Sequence, residues 1–336
     1  MKVLKLMDSR LFVAIDIETV RLTEHFDDLP ESYQDAWAYK NKQDGEIPNQ
    51  DELADLWTRT SSLYAEFSKI CAISLSFLDE SGTKLFCKGM ASTDENALLT
   101  DAFHFLNRIS MGNPKYRLIG HASKYFDFPF MCKRYIINRM EIPKILDDTD
   151  KKPWESLNQC TNTLWKMGGT GPGSSLQALC VALDVPVSKT DMVGDEVGRE
   201  YFAGNITGIR DYCNQDAVAT FNVLRRYKAE GVFQFEEVIY INDDEPQEVE
   251  ETKPMPPMEI LFRTKELTDD VKAQIKERIF SKKVTKKDWS MLELMVRDCY
   301  IENEMFKADV KKVAEAKTLE VAEFFNELKK EYNAKK

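Results

Sequence analysis

The stretch FVAIDIETV, residues 12–20, decides the fold. It is an apolar, β-branched run of the kind that forms a buried strand. Two carboxylates, Asp16 and Glu18, interrupt it. Side chains alternate across a strand, so both point to one face, two residues' rise apart. Like charges held that close raise each other's pKa, and burying them unpaired costs several kcal/mol. A divalent cation between them removes the conflict, and oxygen-only ligation selects hard ions such as Mg²⁺ or Mn²⁺. Taken alone, a D-x-E pair is better read as a solvated strand end.

Working outward, strands are expected at KICAISLSFL (69–78), KLFCKGM (84–90) and YRLIGH (116–121), with a short one near LNQC (157–160). Between residues 21 and 67 lies a polar insertion with helical pieces, anchored by Tyr33, Trp37 and Tyr39. In DENALLTDAFHFLNRI (94–109), Leu98, Leu99, Phe103 and Leu106 recur at helical spacing. Further helices are expected from near Asp127 through Arg139, over 174–185 and 194–204, and over 206–231, the last closed by Gly231. Strands first, then strands alternating with helices, predict an α/β sheet with a mixed edge. The acidic, proline-bearing stretch 236–257 reads as a linker. Beyond it, 258–336 reads as a small helical region, with Thr268 and Thr285 as N-caps.

Composition limits the function classes. The 336 residues carry a net charge of −11, while residues 251–336 hold 19 Lys and Arg against 17 Asp and Glu. An acidic chain argues against tight non-specific duplex binding, but not against an enzyme whose carboxylates hold metal. No run of about 18 apolar residues predicts a membrane span. The start, MKVLKLMDSR, lacks the apolar core of a secretory signal. Seven scattered cysteines without a CxxC, and three histidines, predict neither a zinc site nor a disulfide framework and fit a reducing cytoplasm.

Two more acidic positions alter the reading of Asp16 and Glu18. In LIGHASKYFDFPFM, Asp127 follows a strand at the mouth of a helix, either as an N-cap or above the sheet's carboxyl edge, where α/β proteins bind ligands. In RDYCNQDAVATF, Tyr212 and Asp216 are four residues apart on one helix face. The order D-x-E, F-D, Y-x-x-x-D is far more specific than any of its parts. With IDIETV, LYAEFSKICAIS, GHASKYFDFPF, KPWESLNQCTNTLWKMGG, SLQALCVALDVP and YFAGNITGIRDYCNQDAVAT, the chain resembles the DEDD superfamily of 3′–5′ exonucleases. Within it, the similarity is to the tyrosine subclass, and to stand-alone exonucleases related to the proofreading domain of family B DNA polymerases.

The resemblance implies a ribonuclease-H-like mixed β-sheet flanked by helices over residues 1–235, and two bound divalent ions, Mg²⁺ or Mn²⁺. Asp16, Glu18 and Asp216 would hold the ion that binds the attacking water. Asp16, with Asp127 through water, would hold the ion beside the leaving 3′ oxygen. Tyr212 would orient the water, since a phenol with an ordinary pKa near 10 is a better positioner than base. The substrate would be nucleic acid with a free 3′ end, single-stranded DNA before RNA. Outside the resemblance, the mixed-charge C-terminal helices would suit a replication protein as partner, and the basic run SKKVTKK (281–287) reads equally as a nucleic-acid backbone contact or a solvated helix–helix turn. A catalytically silent nucleic-acid-binding scaffold is the alternative from another class.

Two departures stand out. Ala122 replaces the asparagine usual in relatives, which bears on substrate grip, and Cys160 replaces an aspartate outside the catalytic set. Three nearby residues have double readings. Phe128 is either a stacking platform for a terminal base or core. His121 is a phosphate contact or a satisfied strand-end residue. Lys124 pairs with phosphate or with solvent. The glycine-rich GGTGPGSS (168–175) has no following Lys-Ser/Thr and is not a P-loop.

Overall fold

The computed structural model describes residues 7–112, 115–148, 151, 155–187 and 194–242, with eight single positions between 276 and 334. The chain divides into two units, Met1–Pro246 and Gln247–Lys336. In the second, Lys276 Nζ donates to Glu331 Oε1 at 2.9 Å. The expected caps Thr268 and Thr285 and the basic run 281–287 lie outside the described residues.

The first unit is built on a six-stranded sheet. Its strands are β1 (Phe12–Arg21), β2 (Ser68–Leu78), β3 (Leu85–Ala91), β4 (Arg117–Gly120), β5 (Gln159–Cys160) and β6 (Ile239–Asn242), in the order β5-β4-β1-β2-β3-β6. β1 pairs antiparallel with β2, and β2 with β3, while β1–β4, β4–β5 and β3–β6 are parallel. β6 corrects the linker boundary: the expected linker began at residue 236, but Ile239–Asn242 extend β3's outer edge. A four-residue edge strand beside an acidic stretch leaves too short an alternation to be seen in sequence.

The described helices are α1 (Glu31–Lys40), α2 (Gln50–Thr60), α3 (Glu95–Gly112), α4 (Asp127–Ile137), α5 (Thr161–Trp165), α6 (Leu176–Leu183), α7 (Val197–Phe202) and α8 (Ile206–Tyr227). They cover both faces of the sheet. Val13, Ile15 and Ile17 of β1 pack with Leu98, Leu99, Leu106, Met131 and Tyr135 of α3 and α4. Phe12 and Ala14, on the opposite face, pack with Leu179, Val218 and Phe221 of α6 and α8. The strict alternation of β1 therefore serves two cores. α8 ends at Tyr227, not at Gly231, because Ala229 takes up the left-handed conformation at φ 60°.

The insertion folds around two tryptophans. Trp37 and Trp57 are fully buried with ring centroids 5.3 Å apart. Their indole N–H groups donate to Leu53 O and Thr23 O. Of the expected anchors, Tyr39 is 76% exposed; Trp57 takes that place because α2 turns it inward. α2 starts with a reciprocal capping box between Asn49 and Glu52, two orphan donors satisfied at once.

A buried ion pair fixes α4 to the sheet. Arg134 Nε donates to Glu95 Oε1 at 2.8 Å, and its Nη1 reaches Ala65 O at 2.6 Å. Glu95 also accepts Ile70 N–H of β2 and the Asn138 amide. Removing one partner of such a pair leaves an uncompensated buried charge. Arg134→Ala is therefore expected to destabilise this unit by about 3–5 kcal/mol in urea unfolding followed by tryptophan fluorescence. A change below about 1 kcal/mol would show that the pair is not structural.

Candidate active site

The acids gather at the carboxyl-terminal half of β1. Asp16 lies opposite Ser74 of β2, and Glu18 opposite Ala72, just before a bulge between Glu18 and Thr19. Both side chains are half-buried and share the face that α8 covers. From that helix come Tyr212 and Asp216, one turn apart, and the Tyr212 hydroxyl donates to the Asp216 carboxylate.

Asp127 arrives from the other layer. It is the first residue of α4, and only 5% exposed. Its side chain caps no other residue of the helix; it accepts its own N–H and the N–H of Ile17, between Asp16 and Glu18. The N-cap position is Phe126, so the capping reading of Asp127 gives way to a tie across to β1.

The approach from β4 is tight. A Cβ on Gly120 would fall 2.4 Å from Ser123 Cβ and 3.1 Å from Ile15 O, so only glycine fits. Ala122 follows at φ 58°, a left-handed conformation that asparagine adopts more readily than alanine. This turn delivers the chain to Asp127.

α8 is held in register by polar contacts behind the acids. Cys213 Sγ donates to Asp16 O at 3.4 Å. Ser74 Oγ donates to Asn214 Oδ1 at 2.8 Å, and Asn214 Nδ2 reaches Asn242 Oδ1 of β6 at 3.4 Å. A Cβ on Gly89 of β3 would stand 2.3 Å from Asn214 Oδ1, so the helix seats on a glycine.

The electrostatics are one-sided. Burial first, then the charges of Asp216, Glu18 and Asp127, push the Asp16 carboxyl well above its ordinary range. Glu18 is raised in the same way by burial, Asp216 and Asp127. Burial lifts Asp127 to about 7 despite its two backbone hydrogen bonds. It lifts Asp216 to about 6 against the Tyr212 hydrogen bond. Burial and the neighbouring carboxylates raise the Tyr212 phenol too, so it is a hydrogen-bond donor near neutral pH. Among the described residues no ion pair involves any of the four acids. A set of hard oxygen donors that raise each other's pKa, with no basic partner, suits divalent cations.

The other expected contacts resolve unevenly. Phe128 is 7% exposed inside the core cluster of β1, α3 and α4, which corrects the stacking reading: its ring is committed to the core. His121 is also corrected. Its Nδ1 lies 2.9 Å from Thr161 Oγ1 and its Nε2 2.9 Å from Ser174 O, and burial lowers its pKa, so a neutral ring serves the fold. Lys124 is half-buried and makes no hydrogen bond or ion pair among the described residues.

Two residues went unnoticed in the sequence. Tyr125, 75% exposed, is the open aromatic of this loop. Cys213 forms the tightest donor group of the site: its Sγ and one carboxylate oxygen each of Asp16 and Glu18 all lie within 4.8 Å of one another. Its place directly after Tyr212 was the one available signal.

A mixed six-stranded sheet flanked by helices, with carboxylates at the end of its central strand, is the ribonuclease-H-like α/β architecture. Residues 61–244 match the model of a family described as a predicted 3′–5′ exonuclease related to the exonuclease domain of PolB, and the chain belongs to that family. The match includes Asp127, Tyr212 and Asp216 but begins after β1; the fold brings Asp16 and Glu18 to them. No curated protein matches the chain. No described helix is long and apolar enough to cross a membrane.

The acids make stability depend on pH. Each has a folded pKa above its unfolded value, so the folded state binds protons more readily, and ionisation favours unfolding. Metal-free protein is expected to lose thermal stability as pH rises from about 4 through the Asp216 and Asp127 values of about 6 and about 7, with the raised Asp16 and Glu18 carboxyls adding to the loss. Millimolar Mn²⁺ is expected to reverse the loss, and Asp216→Asn to flatten it. Stability rising over this window in chelator would contradict the assignment.

Proposed function

We propose that the protein is a metal-dependent 3′–5′ exonuclease of the DEDD type that removes nucleoside monophosphates from single-stranded DNA ends. The observation that carries this reading is the meeting of four carboxylates from β1, α4 and α8, without a basic partner among the described residues, with Tyr212 bonded to one of them. Asp16, Glu18 and Asp216 would hold one divalent ion, and Asp16 with Asp127 a second. Bound ions supply an acidified water and a stabilised leaving 3′ oxygen, the two needs of phosphodiester hydrolysis.

The chain's own residues do the positioning. Tyr212 keeps its phenolic proton and directs it at Asp216, so it orients a water by hydrogen bonding rather than taking its proton. The Ile17 N–H and the first turn of α4 fix the Asp127 carboxylate. Lys124 offers a cation to the phosphate chain, which offsets the repulsion of an acidic surface. Tyr125 offers an aromatic face to a terminal base. End-trimming or proofreading in trans would use this activity, and relation to the exonuclease domain of PolB favours DNA over RNA.

The test is digestion of 3′-labelled and 5′-labelled single-stranded DNA and RNA with Mg²⁺, Mn²⁺ or chelator. Stepwise loss from the 3′ end of DNA is expected, abolished by chelator and by Asp16→Ala. Tyr212→Phe is expected to lower kcat by about 10²-fold. Activity that survives chelator, or an Asp16→Ala variant as active as the parent, would overturn the mechanism. Faster digestion of RNA would reassign the substrate.

Tyr125→Ala separates binding from chemistry. Stacking on one base contributes about 1–3 kcal/mol, so KM for single-stranded DNA is expected to rise about 10- to 100-fold with kcat little changed. An unchanged KM would remove Tyr125 from the substrate path.

A further inference from the structure

We propose that the outer face of α4, with the turn that follows it, is a phosphate track that carries the substrate strand away from the acids. This rests on the reading of the acids as an exonuclease site, and extends it to how much single strand the site holds. α4 begins at Asp127, and its side chains Phe128, Phe130, Met131, Arg134 and Tyr135 are buried. Lys133, Ile136 and Ile137, at i, i+3 and i+4, share the other face. Lys133 is exposed, and the two isoleucines are 62% and 45% exposed.

The charge here is the reverse of the whole chain's, which is −11. Residues 121–145 hold the cations Lys124, Lys133, Arg134, Arg139 and Lys144 against the acids Asp127 and Glu141. Arg134 is closed on Glu95, and Asp127 belongs to the site. The side chains of the other four cations make no hydrogen bond or ion pair among the described residues, and in this stretch only Glu141 opposes them. Arg139 follows the helix at φ 58°, the left-handed turn that ends it. Lys144 is brought back beside α4. Cys132 Sγ donates to Leu146 O at 3.7 Å, and the Lys144 N–H donates to Asn107 Oδ1 at 3.3 Å, which fixes the backbone and leaves an exposed ammonium.

Unpaired cations that lead away from the acids fit a polyanion whose end lies among the acids. The 11 residues of α4 rise about 16 Å, the length of about four or five nucleotides in a stacked strand. The isoleucines between the cations offer apolar surface to unstacked bases without reading their sequence. An acidic protein segment is the competing occupant; continuity with Asp127 favours the substrate.

The test is binding of a fluorescein-labelled thymidine trinucleotide and dodecanucleotide to the full-length protein, by anisotropy in chelator across a salt series. KM is measured for both lengths in Mg²⁺. The dodecanucleotide is expected to bind at least about tenfold more tightly, and Lys133→Ala/Arg139→Ala/Lys144→Ala to remove that advantage. Each single-strand phosphate contact adds about 0.7 to the steepness of log affinity against log salt, so the triple variant is expected to flatten it by about 2. Lys133→Glu alone is expected to weaken the dodecanucleotide too, and covers the case of a poorly folded triple variant. Lys84→Ala removes an exposed, equally unpaired cation at the β2–β3 turn, at the opposite end of β1 from the acids, and is expected to leave the slope unchanged. Equal affinity for both lengths in the parent overturns the proposal. An unchanged slope in the triple variant also overturns it, and assigns this face to an acidic protein segment. Digestion of both lengths with one KM refutes the track and leaves the exonuclease reading standing. Length-dependent binding that needs these cations, without digestion, supports the track and refutes that reading.

Discussion

The Asp127 carboxylate accepts the N–H of Ile17, between Asp16 and Glu18. This contact joins the α4 layer to the strand that α8 covers on its other face. Through it, acids from three elements reach one place, although they arrive from opposite sides of the sheet. The contact is made against electrostatic cost. Asp127 is almost fully buried, and burial raises its pKa to about 7 even with two N–H donors. A carboxylate placed for stability alone would find a basic partner, as Glu95 does in Arg134. The contrast separates the two kinds of buried charge in this unit: one pair is closed within the protein, and one set of four is left open, with no basic partner among the described residues.

Much of the remaining structure supports that open set. The Glu95–Arg134 pair holds α4 against Ala65 and Ile70, and so holds the residue at its N-terminus. Gly120 lets β4 pass close to Ile15, and the left-handed turn at Ala122 leads into α4. On the other side, Asn214 ties α8 to Ser74 and Asn242, over a glycine that admits it. Like-charge repulsion is concentrated at the site, and packing and closed hydrogen bonds surround it. That distribution is what a functional site on a rigid sheet requires.

The sequence made part of this legible. β1 was visible because its apolar alternation is strong, and its two carboxylates stood out against it. The order of Asp16, Glu18, Asp127, Tyr212 and Asp216 was visible because each has a local frame: a strand, a strand-to-helix turn, a helix face. Other features depend on contacts between distant segments. Cys213 approaches Asp16 only because α8 crosses β1, 197 positions apart in the chain. Gly89 and Asn214 explain each other, and neither has meaning alone. β6 is four residues at an edge, too short for a pattern. Phe128 turns inward and its unremarked neighbour Tyr125 stays exposed for a similar reason. An aromatic beside an acid at a helix start reads the same in sequence whether the helix turns it inward or leaves it out.

The central claim is that the four carboxylates form a two-metal centre. A crystal grown with Mn²⁺ and measured for anomalous scattering tests it most directly. The account predicts two peaks roughly 3.5–4 Å apart, one among Asp16, Glu18 and Asp216 and one between Asp16 and Asp127. Peaks elsewhere with the acid cluster empty, or acids found paired to a basic side chain instead, would contradict it.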